Sequence, residues 1–185
     1  MAVHLMRIIT GLAKGRRLLA PRDGGTRPMT ERAREGLFSS LGSTVPGARV
    51  LDLYAGSGSL GLECLSRGAE SAVFVERGRV ALAALRANVA AVGLGGEVVA
   101  ADVGDYLARA AGPFDLAFVD PPYALPLGSV EQILGGLVRL LAAGGTAVLH
   151  RRAGGGLTPP PGLEVADRRR YGDSEITRLV KEGAP

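Results

Sequence analysis

Two short segments carry residue types that can do chemistry. Asp120-Pro121-Pro122-Tyr123 ends the apolar run Phe114-Asp115-Leu116-Ala117-Phe118-Val119, and Asp52-Leu53-Tyr54-Ala55-Gly56-Ser57-Gly58-Ser59-Leu60-Gly61 ends another run upstream. In the first, consecutive prolines fix their own φ angles and bias the residue before each toward extended backbone. The segment is stiff, and it presents the Asp120 carboxylate and the Pro121 carbonyl in a set direction. Two acceptors facing one point suit the exocyclic amine of a nucleobase, which has two N–H donors and a lone pair delocalised into the ring. Accepting both hydrogens holds that amine and favours pyramidalisation, which returns lone-pair density to nitrogen for attack on an activated carbon. No strong general base is needed, and the Asp120 carboxylate stabilises positive charge as it builds on nitrogen. Tyr123 is placed to stack on a base drawn away from its neighbours. Asp120, Pro121, Pro122 and Tyr123 form the candidate catalytic set.

The glycine loop alone is ambiguous. Gly56-Ser57-Gly58-Ser59-Leu60-Gly61 fits the dinucleotide pattern G-x-G-x-x-G, and Glu76 stands at the distance of a ribose-binding acid, so a nicotinamide-dependent dehydrogenase must be weighed. Asp52 argues against it, because an acid beside the loop repels a pyrophosphate. A phosphate-free, zwitterionic cofactor removes the conflict. S-adenosylmethionine fits: Asp52 approaches its ammonium end directly or through water, Glu76 accepts from both ribose hydroxyls, and Asp102 accepts from the adenine amino group. Each acid alone is a weak signal, and Asp102 equally suits a helix cap. Jointly, three acids at three successive strand ends converge on the crevice where open α/β sheets bind ligands. The candidate cofactor set is Asp52, Tyr54, Ala55, Gly56, Ser57, Gly58, Glu76, Arg77, Asp102 and Val103.

These residues need a frame, and β-type runs alternating with helical ones supply it. Strands are expected at Arg49–Leu53, Ala72–Glu76, Glu97–Ala101, Leu116–Val119 and Thr146–His150, with helices at Gly58–Arg67, Arg79–Val92, Val103–Ala110 and Ser129–Leu141, the pattern of a parallel sheet covered on both faces. The second of these helices carries an apolar stripe of Val80, Leu82, Leu85, Val89 and Val92, with Gly93 as its C-cap. Thr30 caps an earlier helix whose apolar face is Ala33, Leu37, Phe38 and Leu41, with Gly42 near its end. Gly154-Gly155-Gly156 and Pro159-Pro160-Pro161 make 153–162 a loop. Beyond it, Leu163–Arg170 and Glu175–Lys181 flank Tyr171-Gly172-Asp173-Ser174 as an antiparallel hairpin added to the sheet edge, giving seven strands.

Composition bounds the function. At 185 residues the chain fits one domain with a substantial core, and its single cysteine, Cys64, excludes a disulfide framework or cysteine-rich metal site and suits a reducing cytoplasm. No apolar run approaches the roughly 20 residues of a membrane span or forms a signal peptide at the N-terminus. His4 and His150 have no metal-ligand company and take no role; no metal is expected. Charge is uneven: residues 1–40 hold eight Lys/Arg against three acids, residues 41–150 seven against ten, and residues 151–185 seven against five. A basic arm at 1–29, contacting a polyanion, ahead of a domain at 30–185 is the reading. Arg151-Arg152 serve either as further contacts or as a charged strand end.

The chain resembles the bacterial small-subunit ribosomal RNA guanine-N2 methyltransferases. The resemblance runs through Arg7-Ile8-Ile9-Thr10-Gly11, Lys14-Gly15-Arg16, Arg27-Pro28-Met29-Thr30, Arg34-Glu35-Gly36-Leu37-Phe38, the segment from Asp52 to Glu63, Ser66-Arg67-Gly68-Ala69, Asp120 to Tyr123 and Arg170-Tyr171-Gly172-Asp173. It implies the α/β, Rossmann-like class I fold of S-adenosylmethionine-dependent methyltransferases, with a seven-stranded, mostly parallel sheet. It implies methyl transfer to N2 of a guanine in 16S ribosomal RNA; a cytoplasmic monomer acting within a small-subunit ribonucleoprotein particle is expected. Arg7, Lys14, Arg16, Arg17 and Arg27 become RNA contacts. Thr30 joins the cofactor set and Arg34 the RNA set, both near the substrate entrance. The alternative is an N6-adenine methyltransferase acting on DNA or another RNA. The stretches outside the core are too short for the target-recognition region that duplex DNA enzymes of this chemistry usually carry. A protein glutamine methyltransferase would usually show Asn at position 120.

Overall fold

A computed structural model describes residues 6–21 and 29–183. Its elements are β1 (Met6–Arg7), β2 (Arg17–Leu18), α1 (Glu31–Leu41), β3 (Arg49–Leu53), α2 (Ser59–Ser66), β4 (Ser71–Glu76), α3 (Arg79–Val92), β5 (Glu97–Ala100), α4 (Val103–Arg109), β6 (Phe114–Val119), α5 (Leu127–Val138), β7 (Leu141–Arg152), β8 (Leu163–Tyr171) and β9 (Ser174–Lys181). Seven strands form one sheet in the order β5-β4-β3-β6-β7-β9-β8, parallel from β5 to β7 and antiparallel beyond. The first crossovers run outward from β3 to β5, and the chain then returns to the other side of β3 as β6. That reversal opens a crevice at the C-terminal ends of β3 and β6.

The two sheet faces bury separate cores. One packs Val50, Phe74, Leu116, Phe118 and Val148 with α1, α2 and α3; the other packs Leu51, Leu53, Val75, Ala117 and Val119 with α4 and α5. Neighbouring strand residues point to opposite faces, and both faces are dry, so the central strands read as continuous apolar runs. α1 buries Ala33, Leu37, Phe38 and Leu41 as its spacing predicts, with the Thr30 hydroxyl accepting from the Ala33 N–H. The α3 stripe differs from expectation. Ala81, Leu82, Leu85, Asn88 and Val92 are buried, whereas Val80, in the exposed first turn, is 47% exposed. α5 ends at Val138 rather than Leu141, because the Leu140 carbonyl accepts from the Phe114 N–H and draws the chain into β7.

The described part of the N-terminal arm is docked on this body. Ile8, Ala13 and Leu18 belong to the first core, and Ile8 is 1% exposed. Glu63 of α2, fully buried, accepts the Ile9 N–H at 2.7 Å, the Thr10 N–H at 3.0 Å and the Arg67 Nε–H at 2.7 Å. The Ser66 hydroxyl donates to the Thr10 carbonyl and accepts from the Ala13 N–H. Gly11, at φ +88°, passes so close to the Ser66 carbonyl that a Cβ would collide with it. Farther along, the Asn88 side chain of α3 pairs with both backbone groups of Leu19 and donates to the Ser57 carbonyl of the glycine loop.

Glu63→Ala leaves two arm N–H groups and a largely buried guanidinium without their acceptor. It should lower stability by about 3 kcal/mol in urea unfolding. A loss below about 1 kcal/mol would show that apolar packing alone docks the arm.

Candidate active site

The parallel ladder pairs Leu53 of β3 with Val119 of β6, and one residue on, the Asp120 N–H points at the Leu53 carbonyl at 3.5 Å. The glycine loop and the Asp-Pro-Pro-Tyr segment therefore leave adjacent strands at the same level. Between them lies a cavity of about 230 Å³ whose wall includes Tyr54, Ala55, Gly56, Ser57, Glu76, Arg77, Val103, Asp120 and Pro122. All nine were expected from sequence. The arm closes the outer side with Met6, Pro21 and Met29, which sequence reasoning did not supply. The Ser57 hydroxyl lies 3.2 Å from the Met6 sulfur.

The loop's backbone explains its residues. Tyr54 has φ 59°, unusual for a residue with a Cβ, and Gly56 and Gly58 follow at 56° and 78°. The strand thus turns sharply into α2, and the Gly56 N–H reaches the Glu76 carboxylate at 2.9 Å. The other Glu76 oxygen accepts from the Arg77 and Gly78 N–H groups at 2.9 and 2.7 Å, so the side chain is held at the cavity wall with lone pairs to spare. Gly58 is buried away from the cavity, where a Cβ would come within 2.5 Å of a Leu85 methyl. It permits close helix packing and is not among the residues that line the cavity.

Asp52 is likewise set back from the cavity. It is 1% exposed and lies behind the loop, its Oδ2 accepting the Gly61 N–H at 3.0 Å. Burial drives its carboxyl well above the ordinary carboxylate range, the Gly61 N–H pulls it back, and the fields of Asp120 and Glu76 push it up further. Asp102 is the N-cap of α4, accepting from the Gly104 N–H and from Arg77 Nη1, each at 2.9 Å. It faces a neighbouring cleft of about 440 Å³ that shares Tyr54, Arg77 and Pro122 with the first. Thr30 is exposed and its hydroxyl caps α1; its neighbour Met29 lines the cavity instead.

Of the expected RNA contacts, Lys14, Arg16 and Arg17 are exposed, and Arg7 is exposed while paired with Glu31 at 2.8 Å. Arg27 lies outside the described residues, as does His4. Arg34 is overturned as a surface contact: it is 1% exposed beneath the arm and donates from Nη2 to the Arg7 carbonyl at 2.8 Å. Its position on the buried face of α1, one residue after Ala33, outweighs its charge.

The Asp120 corner holds a residue that sequence reasoning passed over. His150 of β7, 2% exposed, places Nδ1 2.8 Å from Asp120 Oδ1, and its ring meets the Tyr123 ring edge-on with centroids 6.0 Å apart. Its signal in the sequence was a polar residue directly after the apolar run Ala147-Val148-Leu149. Pro121 is buried beneath this corner.

A sheet in this order, with its cavity at the β3/β6 reversal, is the class I methyltransferase fold, and the acid-lined cavity sits where such a sheet binds its ligand. The chain belongs to the family described as conserved hypothetical protein 95, whose model matches residues 6–180. It is 42% identical over 119 residues to ribosomal RNA small subunit methyltransferase D of Escherichia coli, a match spanning 64% of this chain and 60% of that protein's length. A provisionally named methyltransferase of Escherichia coli superposes with a TM-score of 0.86 at 32% identity, covering 97% of this chain and 99% of that one. A hypothetical protein of Thermus thermophilus gives 0.82 at 38% identity over 96% and 99%.

A raised Asp52 carboxyl gives a stability effect of definite sign. The folded state holds the proton more tightly than the unfolded one, so this group's contribution is fully present below the ordinary carboxylate value and falls as pH rises above about 4. Asp52→Asn keeps an acceptor for the Gly61 N–H and removes the titration. Its melting temperature should therefore gain on that of the wild type as pH rises; a difference independent of pH would contradict the assignment.

Proposed function

We propose that this chain transfers a methyl group from S-adenosylmethionine to the exocyclic N2 amine of one guanine in 16S ribosomal RNA, in the cytoplasm and within a small-subunit ribonucleoprotein particle. The observation that carries the reading is the shared cavity: Asp120 and Pro122 line the same space as the glycine loop and Glu76. The name of the Escherichia coli relative supports the substrate, and the exposed cations Lys14, Arg16 and Arg17 support the polyanion.

The donor set fits the cofactor. Glu76 and Asp120 face the cavity and Asp102 stands beside it, a distribution that favours a cationic, phosphate-free ligand over a dinucleotide. When bound, S-adenosylmethionine supplies a methyl group made electrophilic by its sulfonium. Glu76 receives the ribose hydroxyls, with its own orientation fixed by the N–H groups of Gly56, Arg77 and Gly78. Tyr54 and Val103 bound the apolar wall against which the nucleoside rests, and Asp102 offers an acceptor at the base end. Asp120 accepts an N–H of the guanine amine, orients its lone pair and balances the charge that develops on nitrogen. Holding the reacting groups together supplies much of the remaining acceleration, up to about 7–11 kcal/mol.

Asp120→Ala should cut incorporation of labelled methyl into small-subunit RNA by about 10²-fold or more while leaving S-adenosylhomocysteine affinity, read by titration calorimetry, within a few-fold. Full activity would refute the role. Mass spectrometry of the modified base separates N2-methylguanine from N6-methyladenine and so decides between the two amine substrates. Arg16→Glu with Arg17→Glu should raise KM for RNA and make it less steeply dependent on salt; unchanged kinetics would return the arm to a plain solvated surface.

A further inference from the structure

Asp120 is gripped from a strand that the mechanism above does not use. β7 pairs with β6 through Val119 and Leu149, and the next residues, Asp120 and His150, meet through their side chains at 2.8 Å. Ala147, Val148 and Leu149 pack as apolar core residues, and a leucine at position 150 would fill the same buried strand position. The imidazole instead puts a polar atom against the one carboxylate placed to touch the substrate amine, and its ring edge against the Tyr123 ring at an interplanar angle of 61°. An ionised carboxylate only accepts hydrogen bonds, so a carboxylate at Asp120 calls for the hydrogen on Nδ1.

We propose that His150 is the positioning residue of this methyl transfer: its Nδ1–H takes Asp120 Oδ1, leaving Oδ2 for the guanine amine, while its ring sets the angle of Tyr123 against the base. The proposal rests on the methyltransferase reading given above. His150 does not line the cavity, so it acts through Asp120 and Tyr123 rather than on the substrate. Its chemistry suits the task. An imidazole grips one carboxylate oxygen through a single N–H, whereas the fork of a guanidinium in the same place could take both and leave none for the amine.

The test compares the full chain with His150→Leu and His150→Asn, whose amide N–H can stand near the place of Nδ1. His150→Leu should lower kcat by roughly 10²-fold, with KM for RNA and S-adenosylhomocysteine affinity changed little. His150→Asn should restore most of the rate. Near-wild-type turnover in His150→Leu, or equal failure of two variants whose melting curves show them folded, overturns the proposal. A second readout does not need the substrate. The chain has two histidines, so loss of one imidazole signal in His150→Asn assigns the 15N resonances of His150. A protonated Nδ1 and bare Nε2 are expected in the wild type, and a bare Nδ1 overturns the arrangement. If the wild type binds S-adenosylhomocysteine yet methylates no ribosomal RNA, the substrate reading falls instead, and the His150 tautomer still decides for or against the grip on Asp120.

Discussion

The pairing of β3 with β6 is the constraint on which the rest depends. Four parallel registers, from Val50 opposite Leu116 to Leu53 opposite Val119, bring together segments more than sixty residues apart in the chain. The outward run to β5 and the return as β6 place one loop on each side of a gap that no crossover fills. Both loops are stiff for local reasons, positive φ angles in one and consecutive prolines in the other. What the ladder adds is their level. A register slip by one residue would turn Asp120 toward a different face and exchange the two cores.

Electrostatics then select the occupant. Glu76 and Asp120 both line the cavity, and the N–H groups of Gly56, Arg77 and Gly78 hold Glu76 in place. Backbone dipoles orient that carboxylate without neutralising it. Arg77, on the cavity wall, has its guanidinium engaged with Asp102. The space is therefore left with a negative field that a pyrophosphate would meet as repulsion and a sulfonium or ammonium as attraction. The glycine pattern, neutral between two cofactor classes, is resolved by the acids around it.

The arm belongs to the same design. Glu63, Ser66 and Asn88 tie its backbone to α2 and α3, and Asn88 also reaches the glycine loop. Met6, Pro21 and Met29 complete the cavity wall. The segment that carries the exposed cations Lys14, Arg16 and Arg17 thus also lines the cavity, and Arg34 is spent on holding Arg7 rather than on solvent. Its apolar residues, Ile8 and Leu18, explain why a basic stretch folds down at all: they supply the buried area that its charges cannot.

Much of this was legible along the chain. Alternating periodicities located the sheet strands and helices, α3 to both its ends, because the 3.6 and 2 residue repeats report burial locally. Nine of the residues expected around the ligand share one cavity, since glycines, prolines and acids at strand ends carry their reasons with them. Where the reading failed, the reason was distance. Arg34 looked like an RNA contact until the arm covered it, and Asp52 and Gly58 looked like cofactor contacts until packing set them behind the loop. Glu63, Asn88 and His150 had no local signature, because their partners lie 54, 69 and 30 residues away. By itself the sequence determined the alternating fold, Glu76 at the crevice and the rigid Asp-Pro-Pro-Tyr corner. Only the tertiary structure decided which polar groups face the ligand and which support from behind, because that choice depends on strand order and register, which no stretch of chain encodes alone.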